Sequence, residues 1–132
     1  MVIDTSKEYV ICAAIWYTKE FGDQESERGF VAQNLNKGVV VGQWRHPNVI
    51  HAYHQLTGGR TIGEVQGFLT SEGNFVDRVQ AMEIAYNAGQ VTKEKAFRKN
   101  WNGTYGSTVG RPPEDRFGAD YQFNILYSED IY

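Results

Sequence analysis

The clearest pattern of hydrophobic and polar positions lies in residues 65–90, VQGFLTSEGNFVDRVQAMEIAYNAGQ. A short apolar run at 65–69 predicts a strand, and a polar turn joins it to a helix. Asp77, with Gln80 three residues later, predicts a capping box at the start of that helix, and Gly89 predicts its end. Apolar residues and alanines recur along it at helical spacing, which predicts close packing against a sheet.

A second helix is predicted in WRHPNVIHAYHQLTGG, residues 44–59. Pro47 suits the first helical turn, His46 is its predicted N-cap, and a Gly-Gly pair predicts the end. The predicted apolar face consists of Val49, Ile50, Ala52, Tyr53 and Leu56. Arg45 and His46 stand at the junction with the preceding strand, where free backbone N–H groups, the helix dipole and a guanidinium converge. The sequence therefore predicts an anion site at the start of this helix.

Shorter runs predict the remaining strands. Residues 8–18 are rich in Val, Ile and aromatic residues, 29–35 follow an acidic turn, and 39–41 form the kind of apolar run found in sheet centres. Residues 120–126 alternate and predict the last strand. These elements together predict an α+β fold, with a mainly antiparallel sheet of roughly four to six strands and two principal helices packed on one face.

Between the second predicted helix and the last strand the pattern weakens. Residues 92–99 predict a short basic helix with Thr92 as its cap. Residues 100–119 are dense in Gly, Asn and Pro but contain Trp101, Arg111 and other aromatic and basic side chains. A loop of this length in a compact domain is usually functional or disordered, so we expect one or the other here.

Composition narrows the class of protein. The chain has 132 residues, 41% of them hydrophobic and 14% aromatic, which predicts one globular domain over 1–132. Its formal net charge of −3 excludes a general attraction to DNA, RNA or an anionic membrane, so we expect neither polymer nor membrane as a partner. The single cysteine, Cys12, is predicted to be an inert core residue in a reducing compartment. No signal peptide and no run of roughly 18 apolar residues is evident, which predicts a cytoplasmic protein.

The residues that could catalyse a reaction are few. His46, His51 and His54 lie close together in sequence, but no Cys or carboxylate motif of zinc-binding spacing accompanies them. We therefore expect His51 and His54 on the solvent side of their helix. The chain contains no Gly-x-Ser-x-Gly, Walker or Gly-x-Gly-x-x-Gly motif, and Asp77 is explained as a helix cap. The sequence predicts no catalytic residue, no metal and no cofactor.

Binding has better support. A ligand that contains phosphates and bases requires cationic or backbone donors for its anions and flat side chains for its rings. The candidate ligand-binding residues that meet these requirements are Trp44, Arg45, His46, Phe68, Phe75, Arg78 and Arg111. Core packing is the alternative explanation for each of the aromatic residues.

Three segments carry a resemblance to a known group of proteins: GQWRHPNVIH, then QGFLTSEGNFVDRVQAMEIAYNAGQ, and LYSEDIY at the end. They resemble small phage-encoded proteins with GRRH, QGFLTS-x-x-x-FVDR and LFSEDLY-like segments. In this respect the chain is similar to the viral sponge proteins of the anti-CBASS or anti-Thoeris type. The resemblance covers 42–90 and the last seven residues. The chain departs from it at Trp44, where an arginine is expected, although an indole can stack on a base.

The resemblance implies a non-catalytic protein that sequesters a cyclic nucleotide immune signal, either a cyclic di- or trinucleotide or a cyclic ADP-ribose derivative. It implies a homo-oligomer with pockets across subunits, located in the host cytoplasm. Arg45, His46, Phe68, Phe75, Asp77 and Arg78 match its motifs, and we expect Glu129 and Asp130 to pack against a neighbouring subunit. Two other classes remain open at this point: a nucleotide phosphodiesterase or hydrolase, and a protein-interaction inhibitor of a host enzyme that docks through residues 100–119.

Overall fold

The computed structural model describes residues 3–20, 22, 24–58, 63–97 and 123–131. In this part of the chain the strands form a four-stranded antiparallel sheet in the order β2-β1-β3-β4. The strands are β1 (Val10–Tyr17), β2 (Val39–Gln43), β3 (Glu64–Thr70) and β4 (Phe75–Asp77). The α-helices are α1 (His46–Thr57), α2 (Arg78–Asn87) and the short α3 (Lys93–Ala96), and 3₁₀ turns occupy Arg28–Phe30 and Ser128–Asp130. The predicted α+β fold is confirmed.

Both principal helices lie on one face of the sheet. Successive residues of a strand point to opposite faces, so Ala13, Ile15 and Tyr17 share a face. Tyr17 stacks on Tyr53 of α1 with 3.6 Å between ring centroids, and Ile15 belongs to the same core cluster. Ala13 belongs to the core cluster that contains Met82 and most of the other buried residues of α2. The arrangement of both helices on one face is therefore as predicted.

The opposite face is covered by the segment between β1 and β2, in which the predicted strand at 29–35 is wrong. Among its described residues, this segment contains the 3₁₀ turn Arg28–Phe30, an isolated antiparallel bridge between Glu25 and Lys37, and otherwise turns and irregular backbone. Ala32 and Leu35 pack there against Trp16 of β1. The apolar residues that suggested a strand are buried, but they cover a face of the sheet and do not form backbone hydrogen bonds with a neighbouring strand.

Among the described strands, β2 lies at one edge of the sheet, whereas its apolar run was expected to mark the sheet centre. The reason is that the structure covers both of its faces. Val40 packs against the cluster beneath the segment before β2, and Val41 packs against the cluster beneath α1. Burial on two faces produces a continuous apolar run whether or not both edges are paired.

Helix α1 begins one residue earlier than predicted. Arg45 is the N-cap residue and His46 is already helical, with Pro47 in the first turn. Gly58 ends the helix in the left-handed conformation, as predicted. Leu56 was expected on the apolar face but is 80% exposed, because the sheet contact of α1 is made by Val49 and Tyr53. His51 and His54 are exposed, as predicted.

Helix α2 is the best-predicted element. Asp77 accepts hydrogen bonds from the backbone N–H groups of Val79 and Gln80, at 3.0 and 2.9 Å, and Gln80 accepts one from Asp77 N–H at 3.1 Å. The capping box is thus confirmed, and Gly89 follows the helix with φ of 79°. All residues from Val79 to Ala85 are buried, including the polar Gln80 and Glu83.

The chain after α2 is less regular than predicted. Thr92 caps α3 as expected, but the helix is only four residues long. Phe97 and Phe123 form an isolated antiparallel bridge, and residues 124–127 are not a strand. The predicted last strand at 120–126 is therefore wrong over its described part, because the chain pairs at one residue and then turns to α2. The loop predicted at 100–119 lies outside the described residues.

Candidate functional site

A cavity of about 320 Å³ opens on the helix-bearing face, between the starts of α1 and α2. We call it the inter-helix cavity. Three parts of the chain line it: His46, Pro47 and Ile50 of α1, Gln66 of β3 with Arg78 of α2, and Tyr127, Ser128 and Glu129 near the C-terminus. The sheet thus brings together two helix starts that are far apart in sequence.

His46 forms one wall through its imidazole. Its Nε2 lies 2.7 Å from the carbonyl oxygen of Gly67, and its ring meets Phe68 edge-on with 5.0 Å between centroids. A carbonyl oxygen can only accept, so Nε2 carries the proton and the neutral ring has its lone pair on Nδ1. Burial lowers the pKa of His46, and the nearby charge of Arg78 lowers it further, against the Gly67 hydrogen bond and Glu129, which raise it. The imidazole is therefore neutral at pH 7.

Arg78 supplies the positive charge of the inter-helix cavity. Its Nη1 donates to the carbonyl oxygen of Leu126 at 2.8 Å, and its Nη2 donates to Gln66 Oε1 at 2.7 Å. The guanidinium carbon lies 5.1 Å from the ring centre of Tyr127, a cation–π contact. Burial lowers the pKa of Arg78, but a guanidinium stays charged in proteins.

The hydrogen-bond partners of Arg78 are neutral oxygens. The ion pairs seen in the described residues join Lys7 to Asp4 and Lys95 to Asp130, and neither involves Arg78. A guanidinium has five N–H donors, and the hydrogen bonds described above use two of them. A half-buried cation with donors to spare is a physical basis for binding an anion.

The helix starts contribute less to this positive character than predicted. At α2, Asp77 occupies the N–H groups of Val79 and Gln80 and places a carboxylate beside the helix end. At α1, Pro47 has no N–H, and Asn48 N–H donates to the carbonyl oxygen of Arg45 at 3.0 Å. The charge that faces the inter-helix cavity therefore comes mainly from the Arg78 side chain.

The C-terminal segment, residues 123–131, forms the third wall. It is tied to the first residue of α2 in both directions, since Leu126 N–H donates to the carbonyl oxygen of Arg78 at 3.0 Å and Arg78 Nη1 donates back to Leu126. This packing is within the chain, and the expected contact of Glu129 and Asp130 with a neighbouring subunit stays a prediction. Asp130 accepts from Tyr127 N–H at 3.0 Å and pairs with Lys95 at 3.9 Å. Glu129 lines the inter-helix cavity and is exposed.

The structure brings together two of the predicted ligand-binding residues, His46 and Arg78. Trp44, which is 67% exposed, and Arg45 precede His46 but do not line the inter-helix cavity. Phe68 is fully buried beneath His46. Phe75 is fully buried on the opposite face, 6.1 Å from Trp16 between ring centroids. Arg111 lies outside the described residues.

Sequence reasoning missed Gln66, Tyr127 and Glu129 as residues of this site. Gln66 occurs in a strand between Val65 and Gly67, and no local pattern distinguishes it from an ordinary polar position on a sheet. For Tyr127 and Glu129 the available signal was the resemblance carried by the LYSEDIY segment. That resemblance marked the end of the chain but did not show that it packs against the start of α2.

The described residues contain no group of three or more His, Cys, Asp or Glu side chains that could hold a metal ion. Likewise, no helix in this part of the chain is long and apolar enough to cross a membrane. A second cavity of about 320 Å³ lies beside residues 33–37. Arg28 in its wall donates to the carbonyl oxygens of Leu35, at 2.8 Å, and Ala32, at 3.4 Å, which gives that guanidinium a structural role.

Comparisons with known proteins identify the family of this chain but not its chemistry. No curated protein and no solved structure matches this chain. One protein family, described as phage T4 y16D protein, matches residues 9–132, which is nearly the whole sequence. This match confirms the resemblance to small phage proteins in its general form, and the chain belongs to the phage T4 y16D protein family.

Proposed function

We propose that this phage-family protein is a non-catalytic sponge that binds a cyclic nucleotide immune signal and so blocks host defence against the phage. The candidate ligands are cyclic di- or trinucleotides and cyclic ADP-ribose derivatives. The observation that carries the proposal is the half-buried guanidinium of Arg78, which faces the inter-helix cavity with neutral hydrogen-bond partners. Such a group forms charge-assisted hydrogen bonds to a phosphate, which are about twice as strong as neutral ones.

The other walls of the inter-helix cavity suit the rest of a nucleotide. Pro47 and Ile50 offer apolar surface, and Tyr127, which is 47% exposed, offers an aromatic ring. Base stacking on an aromatic side chain contributes about 1–3 kcal/mol per base. The Nδ1 lone pair of His46 and the side chains of Gln66 and Ser128 add neutral polar groups. A ligand with both phosphate and ring groups is therefore favoured over a simple anion.

Binding without hydrolysis is favoured by how the polar groups of the inter-helix cavity are used. The N–H of the neutral His46 imidazole donates to the backbone oxygen of Gly67, so that proton is not available to a leaving group. Arg78 holds the C-terminal segment through Leu126. A general acid must deliver its proton in a productive pose, and the contact with Gly67 withholds the His46 N–H from that role, while a charged guanidinium is a poor proton donor.

The direct test is ligand capture followed by identification of what is released. Purified protein is incubated with cyclic dinucleotides, cyclic trinucleotides and cyclic ADP-ribose isomers, washed, and heated to unfold it. Intact ligand in the supernatant supports the sponge. Cleaved ligand overturns it in favour of a phosphodiesterase or hydrolase, and absence of any bound nucleotide favours a protein-interaction inhibitor.

Arg78→Gln tests whether the inter-helix cavity is the binding site. We expect the affinity for the captured ligand to fall at least tenfold, because one charge-assisted hydrogen bond contributes about 1.5–3 kcal/mol. Isothermal titration calorimetry measures the change, and thermal unfolding verifies that the variant is folded.

Arg28→Gln is the matched control, since it also removes a guanidinium that donates to backbone carbonyls but lies at the second cavity. We expect this variant to retain wild-type affinity. Equal losses of affinity in both variants would show that binding depends on fold stability and not on the inter-helix cavity.

A further inference from the structure

Glu129 is the feature of the inter-helix cavity that simple anion binding does not explain. Among the described residues that line this cavity, it is the only carboxylate. Burial lowers the pKa of both His46 and Arg78, and the charge of Glu129 opposes that lowering in each case, so Glu129 lies within electrostatic reach of the two walls on either side. A site selected only for phosphate would place a neutral donor or a cation here, because a carboxylate repels an anion.

The carboxylate of Glu129 has acceptor capacity that the structure does not use. Its hydrogen bond within the described residues comes from Ser128 Oγ at 3.4 Å, which is long, and the side chain is exposed. An ionised carboxylate can accept about four hydrogen bonds and donates none. It does not pair with Arg78, whose described donors go to Leu126 and Gln66.

A ligand that fills the inter-helix cavity displaces water from Arg78 and Glu129 together, so it has to supply the hydrogen bonds that the water made. Arg78 requires an acceptor, preferably anionic, and Glu129 requires donors. A free metal cation would be repelled by Arg78, and a bare anion by Glu129. The ligand class that satisfies both is an anion that carries a pair of neighbouring N–H or O–H donors.

We propose that Glu129 is a specificity-determining residue that accepts hydrogen bonds from such a pair of donors on the bound nucleotide. This inference rests on the proposed function and narrows its ligand class. Two parts of a nucleotide supply the required pair: the N1–H and N2–H groups of a guanine edge, and the two hydroxyls of a ribose cis-diol. A carboxylate accepts from either pair with both oxygens.

Glu129→Gln tests the proposal with four probes in calorimetric titrations. Cyclic di-GMP carries the guanine edge without a free cis-diol, cyclic ADP-ribose carries cis-diols without guanine, and cyclic di-AMP and pyrophosphate carry neither pair. The variant side chain has the same shape, but it replaces one acceptor with a donor. We expect at least a tenfold loss of affinity for the probe whose donors Glu129 accepts. Pyrophosphate, if it binds, should bind to Glu129→Gln a few-fold more tightly than to wild type, because the variant lacks the negative charge that repels it.

Glu72→Gln is the matched control, because Glu72 is an exposed carboxylate in the turn between β3 and β4 and does not line the inter-helix cavity. It changes the net charge by the same amount, so we expect every affinity to remain within about twofold of wild type. Thermal unfolding of Glu129→Gln should match wild type, since the side chain is exposed.

The outcomes separate this inference from the proposed function. Loss with cyclic di-GMP assigns the guanine edge, and loss with cyclic ADP-ribose assigns the cis-diol. A third outcome is that wild type binds a probe in an Arg78-dependent manner while Glu129→Gln strengthens every affinity or leaves it unchanged. In that case the specificity role of Glu129 is wrong, but the proposed sponge function is not contradicted. If wild type binds no cyclic nucleotide either in these titrations or in the capture experiment, which includes cyclic trinucleotides, the proposed function fails and this inference fails with it.

Discussion

At the residue scale, His46 and Arg78 have complementary roles in one cavity. His46 is held neutral by burial and is fixed by its hydrogen bond to Gly67. Arg78 remains charged and is fixed by Gln66 and Leu126. A charged group whose donors are already oriented binds an anion with little additional loss of side-chain entropy. The two residues therefore give a preformed site with one cation and one neutral ring.

The lowered pKa of His46 gives a prediction for stability against pH. The ordinary value is 6.5, and burial lowers it in the folded protein. Above about pH 6.5 both folded and unfolded chains have neutral His46, so its contribution to stability is complete. As pH falls below that value, the unfolded chain takes up the proton before the folded one does. The free energy of unfolding should therefore decrease on acidification through this group.

Urea unfolding at about pH 7.5 and about pH 5.5 measures this effect in wild type and in His46→Gln. We expect the variant to lose less stability between the two pH values than wild type does. His51→Gln is the control, since His51 is exposed on the same helix and should retain the wild-type difference. If His46→Gln lost as much free energy of unfolding between the two pH values as wild type does, the pH dependence would not come from His46.

At the element scale, side-chain amides complete the sheet where strands are absent. Asn34 accepts from Phe75 N–H at 2.8 Å and donates to the Phe75 carbonyl oxygen at 2.7 Å, as a neighbouring strand would. Gln90 forms the same pair of contacts with Val10, at 2.8 and 2.9 Å. Each amide satisfies both backbone groups of one strand residue. This explains why the segment at 29–35 covers the sheet without forming a strand.

Gly67 gives a prediction for the pairing of β3 with β4. A Cβ atom at this position would lie 2.0 Å from the backbone oxygen of Val76 and 2.8 Å from Phe75 Cζ, so the two strands would have to move apart. We expect Gly67→Ala to lower the free energy of unfolding by about 1–3 kcal/mol or more. Because the Gly67 carbonyl orients His46, ligand affinity should fall as well.

Chemical denaturation measures the stability change, with Gly29→Ala as the control. No heavy atom lies within 4 Å of a Cβ built at Gly29, and this glycine is in the 3₁₀ turn away from the inter-helix cavity. We expect its effect to stay within about 0.5–1 kcal/mol of wild type. If Gly67→Ala were as stable as Gly29→Ala, the close approach of β3 and β4 would be refuted.

At the scale of the whole molecule, the inter-helix cavity is small for the proposed ligands. Its volume of about 320 Å³ is at the lower end of the range for small-molecule sites, about 300–1,000 Å³. A ligand of two or three nucleotides therefore needs further walls. Leu56 is 80% exposed and Trp44 is 67% exposed, close to the ends of α1. These features are consistent with the proposed homo-oligomer, in which a second chain completes each pocket.

We predict that the protein is at least a dimer and that Leu56→Glu weakens both assembly and ligand binding. The physical reason is that a charge placed in an apolar interface must be desolvated. Light scattering coupled to size exclusion measures the mass, and calorimetry measures the affinity. Gln55→Glu is the control, because it adds the same charge on the neighbouring exposed position of α1 without removing an apolar side chain. A monomer that binds one cyclic dinucleotide tightly would contradict the prediction.

Local elements were predictable because their signals lie within a few residues of each other. Asp77, Gln80 and Gly89 mark α2, and Pro47 with Gly58 marks α1, since caps act on the backbone of the adjacent turn. The antiparallel α+β fold followed from these elements and the apolar runs between them. The segment at 29–35 was not predictable, because its apolar residues serve packing while a side-chain amide replaces the ladder.

The sequence by itself determined the strands β1, β2 and β3, the two principal helices to within one residue at their starts, and the chemical types of the side chains placed there. Only the tertiary structure decided which of those side chains meet. Phe75 and His46 look equally suited to a pocket in the sequence, but the alternation of side chains in the sheet buries Phe75 on the far face. Conversely, Glu129 lines the same cavity as Arg78 only because the C-terminal segment returns to the start of α2. Contacts between distant parts of the chain depend on strand order and packing, which no local pattern encodes.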